Sequence, residues 1–239
     1  MAHIRALTPC DPPHPELHGL GLRLRDWDPD SVDDVRNWLR GMSDPEFRRW
    51  NTPRNPITDL AAARTSLRAR ADHEAGCTSV SFRVTDASSG TTLGHIGVND
   101  IDPVLRVARV GYWILPEARG RGAATRALTL AARWALTDFG LHRLELGHAL
   151  GHDASCRIAE RCGFPYEGTL RGAMWEANRQ DRFRDVHLHA RLATDPPPEP
   201  PPAPDDPAAE TSRTSSGTAS GAVPGPASDR GDLVGERTV

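Results

Sequence analysis

Apolar residues follow two kinds of spacing along the chain between about residues 20 and 192. They recur at the spacing of a buried helix face in four segments, which begin after Ser31 and near Thr58, Ala124 and Ala154. Between these segments lie runs rich in β-branched and aromatic residues, which are typical of strands. This succession predicts an α/β domain. The predicted strands include residues 20–24, 78–85, 92–98, 107–115 and 142–146.

Polar residues and glycines mark the ends of the predicted helices. Ser31, with an acidic residue three positions on, fits the N-cap of the first helix, and Asp153 fits the N-cap of the last. Gly76 and Gly163 are expected to end the second and the last helix. Residues 48–56, between the first two helices, are predicted to form a polar loop.

The segment from Trp113 to Thr125 carries the clearest chemical signal in the chain. It is predicted to be a buried strand, then a loop with Gly120 and Gly122, and then a helix. A helix that begins after such a loop presents unpaired backbone N–H groups and the positive end of its dipole to an anion. Arg119 and Arg121 add positive charge. The segment therefore predicts a seat for a pyrophosphate.

Two familiar phosphate-loop patterns are excluded. A Walker loop requires a lysine, and the chain contains none. The dinucleotide fingerprint requires a third glycine where this chain has Thr125. The pattern Gln/Arg-x-x-Gly-x-Gly/Ala is present from Arg119 to Ala124, and here the chain resembles the GNAT superfamily of acyl-CoA-dependent N-acyltransferases. An arginine-rich helix start without a ligand is the alternative for these residues alone.

Other segments extend the resemblance and assign it to one branch. The run Phe164-Pro-Tyr-Glu-Gly-Thr-Leu-Arg171 resembles a run of the Rim-type N-acetyltransferases, which include enzymes that acetylate ribosomal-protein N-termini. Gly111–Glu117 and Asp185–Ala190 fit the same branch in the same order. The resemblance implies a single GNAT-like α/β domain with a mixed, twisted sheet of about seven strands and helices on both faces.

In the resembled family, coenzyme A lies along the strand before the loop and against the loop itself. By position, Tyr112, Trp113 and Ile114 would lie along the pantetheine arm of acetyl-CoA. The residues expected at the pyrophosphate and the rest of the coenzyme are Arg119, Gly120, Arg121, Gly122, Ala123, Ala124, Thr125 and His152. Arg119 either contacts phosphate or shapes the loop. His152 stands where the family has an asparagine.

A leaving thiolate, with a reference pKa near 8.5, benefits from a nearby proton donor. Many relatives place a tyrosine there, and the matching position in this chain is Ala159. Rim-type enzymes that act on ribosomal proteins use a serine instead, which falls on Ser155. We therefore expect Ser155 to be the catalytic donor, and a role in capping its helix is the alternative.

The general base is indicated less clearly. Some ribosomal-protein acetyltransferases use a glutamate where this chain has Met174, and Glu176 lies two residues on, on the same face of a strand. Asp100, Asp102 and His95 are alternatives if they face the site. A base is not essential, because an α-amine has a pKa near 8 and is partly neutral at neutral pH. That property favours N-terminal amines over lysine side chains.

Three residues are candidate contacts of the amine acceptor. In the resembled family the region of residues 48–56 helps to form the acceptor site, which points to Trp50 and Arg54. A tryptophan at the edge of the core and a solvated arginine are the alternative. A peptide acceptor predicts an open groove, whereas a small amine predicts a closed pocket lined by Trp50 and Trp175.

Composition separates a C-terminal tail from this domain. From residue 194 onward proline, alanine, serine and glycine dominate, and 10 of the 21 prolines lie there. Such a segment buries too little apolar surface to fold, so we expect residues 194–239 to be disordered. The tail has a net charge of −5 and the rest of the chain +2, which gives no case for nucleic acid. The predicted domain is residues 19–193, after a flexible segment of residues 1–18.

Membrane and metal sites are not expected. No apolar run approaches the roughly 18 residues that span a bilayer, and the N-terminus lacks a signal-peptide core. The four cysteines include no C-x-x-C pair, so neither a metal nor a disulfide is expected. We expect a cytoplasmic protein without membrane or nucleic-acid partners.

These observations predict an acetyl-CoA-dependent N-acetyltransferase that moves the acetyl group directly to a primary amine. The expected acceptor is a protein or peptide N-terminus, by resemblance to the Rim-type branch. A small-molecule amine, such as an antibiotic, polyamine or amino acid, is one alternative. The other alternative is a non-catalytic acyl-CoA-binding module that signals through its acidic tail. An intact phosphate loop is compatible with an enzyme and with a binding module alike.

Overall fold

The computed structural model describes residues 14–199. The predictions of a flexible segment over residues 1–18 and of a disordered tail over residues 194–239 fall mostly outside those residues. The strands are β1 (Leu17–Gly19), β2 (Leu22–Asp26), β3 (Val80–Asp86), β4 (Thr92–Asp102), β5 (Val107–Ile114), β6 (Arg143–Ala149), β7 (Tyr166–Glu176) and β8 (Arg179–Leu192). The helices are α1 (Val32–Ser43), α2 (Pro45–Trp50), α3 (Leu60–Ala75), α4 (Ala123–Thr137) and α5 (Asp153–Arg161), with a short 3₁₀ helix at Pro116–Ala118.

Across the described part of the chain, eight strands form one mixed sheet in the order β1-β2-β3-β4-β5-β6-β8-β7. The predicted mixed α/β sheet is confirmed, with one strand more than the predicted seven. The additional strand is β1, which pairs with β2 across the turn at Leu20 and begins two residues before the predicted domain limit. Three residues are too few to show the alternation by which a strand is recognised in a sequence.

The sheet is split between β5 and β6, its only parallel neighbours in the described residues. These strands pair over three residues, from Val107–Arg109 on β5 to Arg143–Glu145 on β6. Beyond that point β5 stays paired with β4 as far as Ile114, and β6 stays paired with β8 as far as Ala149. The two strands therefore separate and leave a cleft inside the sheet.

Helices cover both faces of the sheet, as predicted. On one face, α4 and α5 pack on strands β2 to β6 through a core that includes Leu128, Ala131, Ala159 and Leu144. Small residues on α4 allow the helix to lie close to the sheet, because five of its eleven buried residues are alanine. No helix in the described residues is long and apolar enough to cross a membrane.

On the other face, α1 and α3 cover a second core built on tryptophans. Trp27, Trp38 and Trp113 lie with their ring centroids 5.2 to 6.0 Å apart. Helix α1 passes the Trp113 ring at Gly41, where a Cβ atom would lie 2.3 Å from ring carbons. Glycine is therefore required there by the close approach of helix and strand.

The helix ends follow the sequence signals with two exceptions. Ser31 caps α1 by accepting from the Asp34 backbone N–H, as predicted, and Gly76 ends α3. The N-cap of α5 is His152 and not Asp153, which lies in the first turn. The predicted polar loop at residues 48–56 is helical at its start, because α2 extends to Trp50.

Candidate active site

The predicted pyrophosphate loop is a left-handed turn that leads into a helix without a side-chain cap. Gly120 and Gly122 have φ angles of +76° and +69°, a left-handed conformation that favours glycine. Gly122 is the N-cap of α4, and no side chain caps that helix. A Cβ atom at either glycine would meet nothing within 4 Å, so the space above the loop is open. The backbone N–H groups of Ala123, Ala124 and Thr125 in the first turn are therefore available to an anion.

The two arginines of the loop differ in their contacts and exposure. The Arg119 guanidinium donates from Nε to the Ile114 carbonyl oxygen over 3.0 Å and also forms an ion pair with the buried Asp44. Arg119 thus fixes the loop to β5 and to the start of α2. Arg121 is exposed beside the loop. The Arg119 side chain thus contacts the protein itself, as a loop-shaping residue would, and contact of either arginine with phosphate stays a prediction.

The strand residues expected along the pantetheine arm face opposite sides of the sheet. Tyr112 and Ile114 point toward α4 and α5, and Ile114 packs against Ala123. The Trp113 side chain belongs to the tryptophan core on the other face, and its Nε1 is buried without a hydrogen-bond partner. Trp113 therefore has only its backbone to offer a ligand in the split.

Ser155 lies at the split, in contact with the tyrosine of β5. Its hydroxyl is 3.0 Å from the Tyr112 hydroxyl, and its side chain is buried. Burial raises the pKa of Tyr112, so the phenol stays protonated and can donate to the Ser155 oxygen. Ala159, which takes the place of the family's tyrosine, is fully buried in the core. The tyrosine hydroxyl near the split thus comes from Tyr112 on β5 and not from α5.

Trp50 and His152 form a stacked pair beside this site. Their ring centroids are 4.5 Å apart with an interplanar angle of 4°. The Trp50 indole N–H donates to Glu46 over 2.7 Å, which fixes the ring on α2. Burial, with a smaller contribution from His148, lowers the pKa of His152 to about 4. His152 is therefore uncharged at neutral pH and stacks as a neutral ring.

The segment after α2 is bonded to the hairpin between β7 and β8. Thr52 donates to the Glu176 carbonyl oxygen over 2.9 Å and accepts from the Asn178 backbone N–H over 3.1 Å. Gln180 donates to the Arg54 carbonyl oxygen over 3.1 Å. These hydrogen bonds join residues 51–54 to residues 176–180 on the side of the split that carries Trp50. We call this contact the bridge.

The remaining predicted acceptor contacts are not gathered around Trp50. The Arg54 side chain is exposed, and it is the Arg54 backbone that joins the bridge. Trp175 is half-buried and pairs with Phe183 across β7 and β8. Among the described ring contacts Trp50 meets His152 and not Trp175. The role of Arg54 and Trp175 as substrate contacts therefore stays a prediction.

None of the candidate bases contacts Ser155 or Tyr112 in the described residues. Glu176 is exposed at the end of β7. Asp100 lies 3.6 Å from Arg109 in an exposed ion pair, and Asp102 accepts from backbone N–H groups of its own turn. His95 is buried and accepts from the Trp27 indole N–H over 3.2 Å. The structure thus gives His95 and Asp102 structural partners, and Glu176 stays a prediction.

A separate cavity of about 840 Å³ lies between α3 and the bulge of β4. Its lining includes Arg70, Thr78, Asn99 and Asp100, and none of the residues of the phosphate loop or of α5. Because the loop and the split lie elsewhere, this cavity is not the candidate active site.

Comparison with known proteins adds to this geometry. Residues 21–165 match the sequence model of the acetyltransferase (GNAT) domain. Ribosomal-protein-serine acetyltransferase of Escherichia coli (strain K12) is 30% identical over 100 residues, which are 42% of this chain and 54% of that protein. Spermidine N(1)-acetyltransferase of Vibrio cholerae is 30% identical over 89 residues, 37% of this chain and 51% of that protein. The chain thus spans about half the length of the curated relatives it matches.

Solved structures share the architecture. A ribosomal-protein α-N-acetyltransferase in complex with coenzyme A superposes with a TM-score of 0.65 at 18% identity. The match covers 74% of this chain and 98% of that chain. At this identity the likeness concerns the fold alone.

Proposed function

The chain belongs to the GNAT acetyltransferase family, and on that premise we propose that it is an acetyl-CoA-dependent N-acetyltransferase acting on a primary amine. The observation that carries the proposal is the position of the uncapped helix α4 at the open end of the split between β5 and β6. An anion on the N-terminus of α4 and an extended arm along β5 would bring the end of that arm toward Ser155 and Tyr112.

The chain's own groups suit the departure of a thiolate. When bound, acetyl-CoA supplies an activated acyl group and a sulfur leaving group. In the arrangement that we propose, the Tyr112 hydroxyl donates to the Ser155 oxygen 3.0 Å away, which leaves the Ser155 proton free to point at a sulfur atom in the split. A hydrogen bond to the sulfur stabilises the charge that develops as the C–S bond breaks. Ser155 is then the catalytic residue, and Tyr112 positions it.

We propose a protein or peptide N-terminus as the acceptor. An α-amine needs no strong base, since its pKa near 8 leaves a reactive neutral fraction at neutral pH. That suits a site in which no carboxylate of the described residues contacts Ser155. The ribosomal-protein-serine acetyltransferase among the relatives supports the same class of acceptor. Acceptor contacts are expected from Trp50, Arg54 and Trp175, with Glu176 as the candidate base.

A small amine is the second candidate, and one observation favours it. The bridge from residues 51–54 to residues 176–180 joins the segment after Trp50 to the β7–β8 hairpin, which is a contact that one wall of a closed pocket would need. The spermidine acetyltransferase among the relatives supports this alternative too. An alkyl amine of the lysine type has a pKa near 10, so a much smaller fraction is neutral than for an α-amine, and the site has more need of a base.

The domain limits and the location follow as parts of the proposal. Residues 19–193 are proposed to hold the whole catalytic unit, and residues 194–239 to be a solvated extension that catalysis does not need. We also propose a cytoplasmic location, where acetyl-CoA is available to the site.

The test is thiol release from acetyl-CoA in the presence of peptide N-termini, polyamines and aminoglycosides, after CoA binding has been measured by thermal shift. Turnover with peptides alone supports the protein acceptor, and turnover with small amines alone supports the second candidate. A chain ending at residue 193 is expected to turn over like the full chain. Tight CoA binding without turnover on any acceptor contradicts the enzyme and favours a binding module. Absence of CoA binding contradicts both.

A further inference from the structure

Four side chains with metal-ligand atoms converge beneath α5. His148 on β6 lies directly opposite His187 on β8, and His189 lies two residues further along the same face. Cys156 reaches them from α5. One ligand atom from each of the four residues lies within 4.8 Å of each of the others. We call these four residues the His₃Cys cluster.

Backbone carbonyl groups fix the orientation of two of the imidazoles. The His148 Nδ1 lies 3.1 Å from the Ala149 carbonyl oxygen, and the His189 Nδ1 lies 3.0 Å from the Phe164 carbonyl oxygen. A carbonyl oxygen only accepts, so each Nδ1 carries the proton and each Nε2 presents a lone pair. Metal-binding histidines are oriented by the same kind of contact.

The lone pairs face one another in a buried place. His148 is 5% exposed and His189 is 0% exposed. The His148 Nε2 is buried and has no hydrogen-bond partner, while the His189 Nε2 lies 3.5 Å from the Cys156 sulfur. A buried acceptor without a partner is costly, and several acceptors that converge need a shared donor or a cation.

We propose that the His₃Cys cluster binds a zinc ion. Imidazole and thiolate are the ligands that zinc prefers, and four protein ligands make a closed, tetrahedral site of the structural kind. Zinc–nitrogen and zinc–sulfur bonds of about 2.0 to 2.3 Å require ligand atoms about 3.3 to 3.8 Å apart, so the cluster contracts only slightly. On binding, the Cys156 thiol loses its proton to solvent and the thiolate sulfur bonds to the ion.

The sequence predicted no metal site, and the reason is visible in the fold. The ligands come from β6, α5 and β8, so no short spacing connects them as a C-x-x-C pair would. Only His187 and His189 are neighbours in sequence, and two histidines on one strand face do not by themselves indicate a metal.

The ion would join α5 to the two strands beneath it. Cys156 directly follows Ser155, so a bond from zinc to Cys156 fixes the turn of helix that carries the candidate catalytic hydroxyl. The zinc site does not depend on the proposed acetyl transfer, because none of its four ligands belongs to the phosphate loop or to the hydroxyl pair.

The experiment uses the full chain, freed of metal with a chelator and titrated with zinc. One equivalent of zinc is expected to bind, with a rise in melting temperature. Cobalt(II) in place of zinc is expected to give visible bands of tetrahedral intensity and a near-ultraviolet thiolate-to-cobalt charge-transfer band. Cys156→Ser is expected to abolish the charge-transfer band and to weaken zinc binding at least about tenfold.

Matched controls separate the cluster from other thiols and imidazoles. Cys77→Ser, in the turn after α3, and His142→Gln, exposed before β6, are expected to bind both ions like the parent chain. Cys156 is partly exposed, so its serine variant should keep the parent's circular dichroism spectrum, which is measured alongside. A parent chain that binds no zinc overturns the proposal. So does a cobalt spectrum without a thiolate band, a result that needs no variant to fold.

Discussion

The hydroxyl groups of Tyr112 and Ser155, 3.0 Å apart, connect the two halves of the split sheet. Tyr112 belongs to β5, whereas Ser155 belongs to α5, which follows β6 in the chain. The strands themselves pair over only three residues. The hydroxyl pair therefore lies where a ligand between the strands would be contacted from both sides.

Removal of either hydroxyl is expected to lower turnover. Ser155→Ala removes the donor to the sulfur and should lower kcat at least about tenfold, with CoA affinity nearly unchanged. Tyr112→Phe removes one hydrogen bond to Ser155 and should lower kcat by about two- to tenfold without raising the KM for acetyl-CoA. Because the two act as a unit, the double variant should be little worse than Ser155→Ala. Steady-state kinetics measure all three.

The other tyrosine of the chain supplies the control for this prediction. Tyr166 is half exposed on β7 and contacts Thr169. Tyr166→Phe should therefore have the parent kcat. A Tyr112→Phe enzyme with the same kcat as Tyr166→Phe would remove Tyr112 from the mechanism.

A methyl group at Gly122 is expected to weaken CoA binding through the backbone. Gly122→Ala meets no atom within 4 Å, but its φ of +69° costs a residue with a Cβ about 1 to 2 kcal/mol. Relief of that strain moves the first N–H groups of α4, so the Kd for CoA, measured calorimetrically, should rise about tenfold. Gly168→Ala, on β7 with open space and no positive φ, should bind CoA normally.

The two loop arginines should have separable effects. Arg119→Ala leaves the buried carboxylate of Asp44 without its ion-pair partner and should reduce the free energy of unfolding by about 1 to 3 kcal/mol, with weaker CoA binding as a consequence. Arg121→Ala should leave stability unchanged and weaken CoA binding about three- to tenfold, less so at high salt. Urea unfolding and CoA titration distinguish them. Equal stability loss in both variants would contradict the division of roles.

Acid should destabilise the protein partly through His95. Burial lowers the pKa of His95 well below its usual value of 6.5, so the folded state keeps it neutral while the unfolded state takes up a proton. The stabilisation is complete above about pH 6.5 and is lost as pH falls, by up to about 1.4 kcal/mol per pH unit. His95→Gln, which keeps an acceptor for Trp27, should show a shallower loss in urea unfolding between neutral and mildly acid pH. The exposed His142→Gln should keep the parent slope, and a parental slope in His95→Gln would contradict the assignment.

Breaking the buried ion pair between Asp34 and Arg83 should lower the free energy of unfolding, whereas breaking a nearby exposed ion pair should change it little. Asp34 and Arg83, both less than 9% exposed, join α1 to β3. Asp34→Asn leaves the guanidinium buried without its partner and should cost about 3 to 5 kcal/mol of unfolding free energy. Asp33→Asn breaks the exposed pair with Arg36 and should cost less than about 1 kcal/mol. Denaturant unfolding compares the two, and similar losses would refute the distinction.

The sequence predicted what local signals determine. Ser31 and Gly76 mark the ends of α1 and α3 because a cap is decided within four residues of the helix end. Gly120 and Gly122 mark the loop because only glycine takes their conformation without strain. These signals, with the resemblance, were sufficient for the fold class and the position of the phosphate loop.

Contacts between distant segments were not predictable in the same way. The sequence leaves open whether Arg119 contacts phosphate or shapes the loop, because its partner Asp44 lies 75 residues away in sequence. The pairing of Tyr112 with Ser155 depends on which face of β5 the tyrosine takes. Tyr112 and Trp113 alternate along β5 and so face opposite sides of the sheet. The sequence does not say which helices cover which side. The His₃Cys cluster needs the register of β6 and β8.

The early separation of β5 from β6 creates two strand edges in the interior of a sheet. Unpaired edges on the outside of a protein invite other chains to add a strand, with aggregation as the result. Here the two edges face each other within the sheet, and α4 and α5 pack on the face beside them. A slender ligand with amide groups of its own can still enter and act as the missing strand. The same gap in pairing thus offers hydrogen-bonding partners to one slender, peptide-like ligand between β5 and β6.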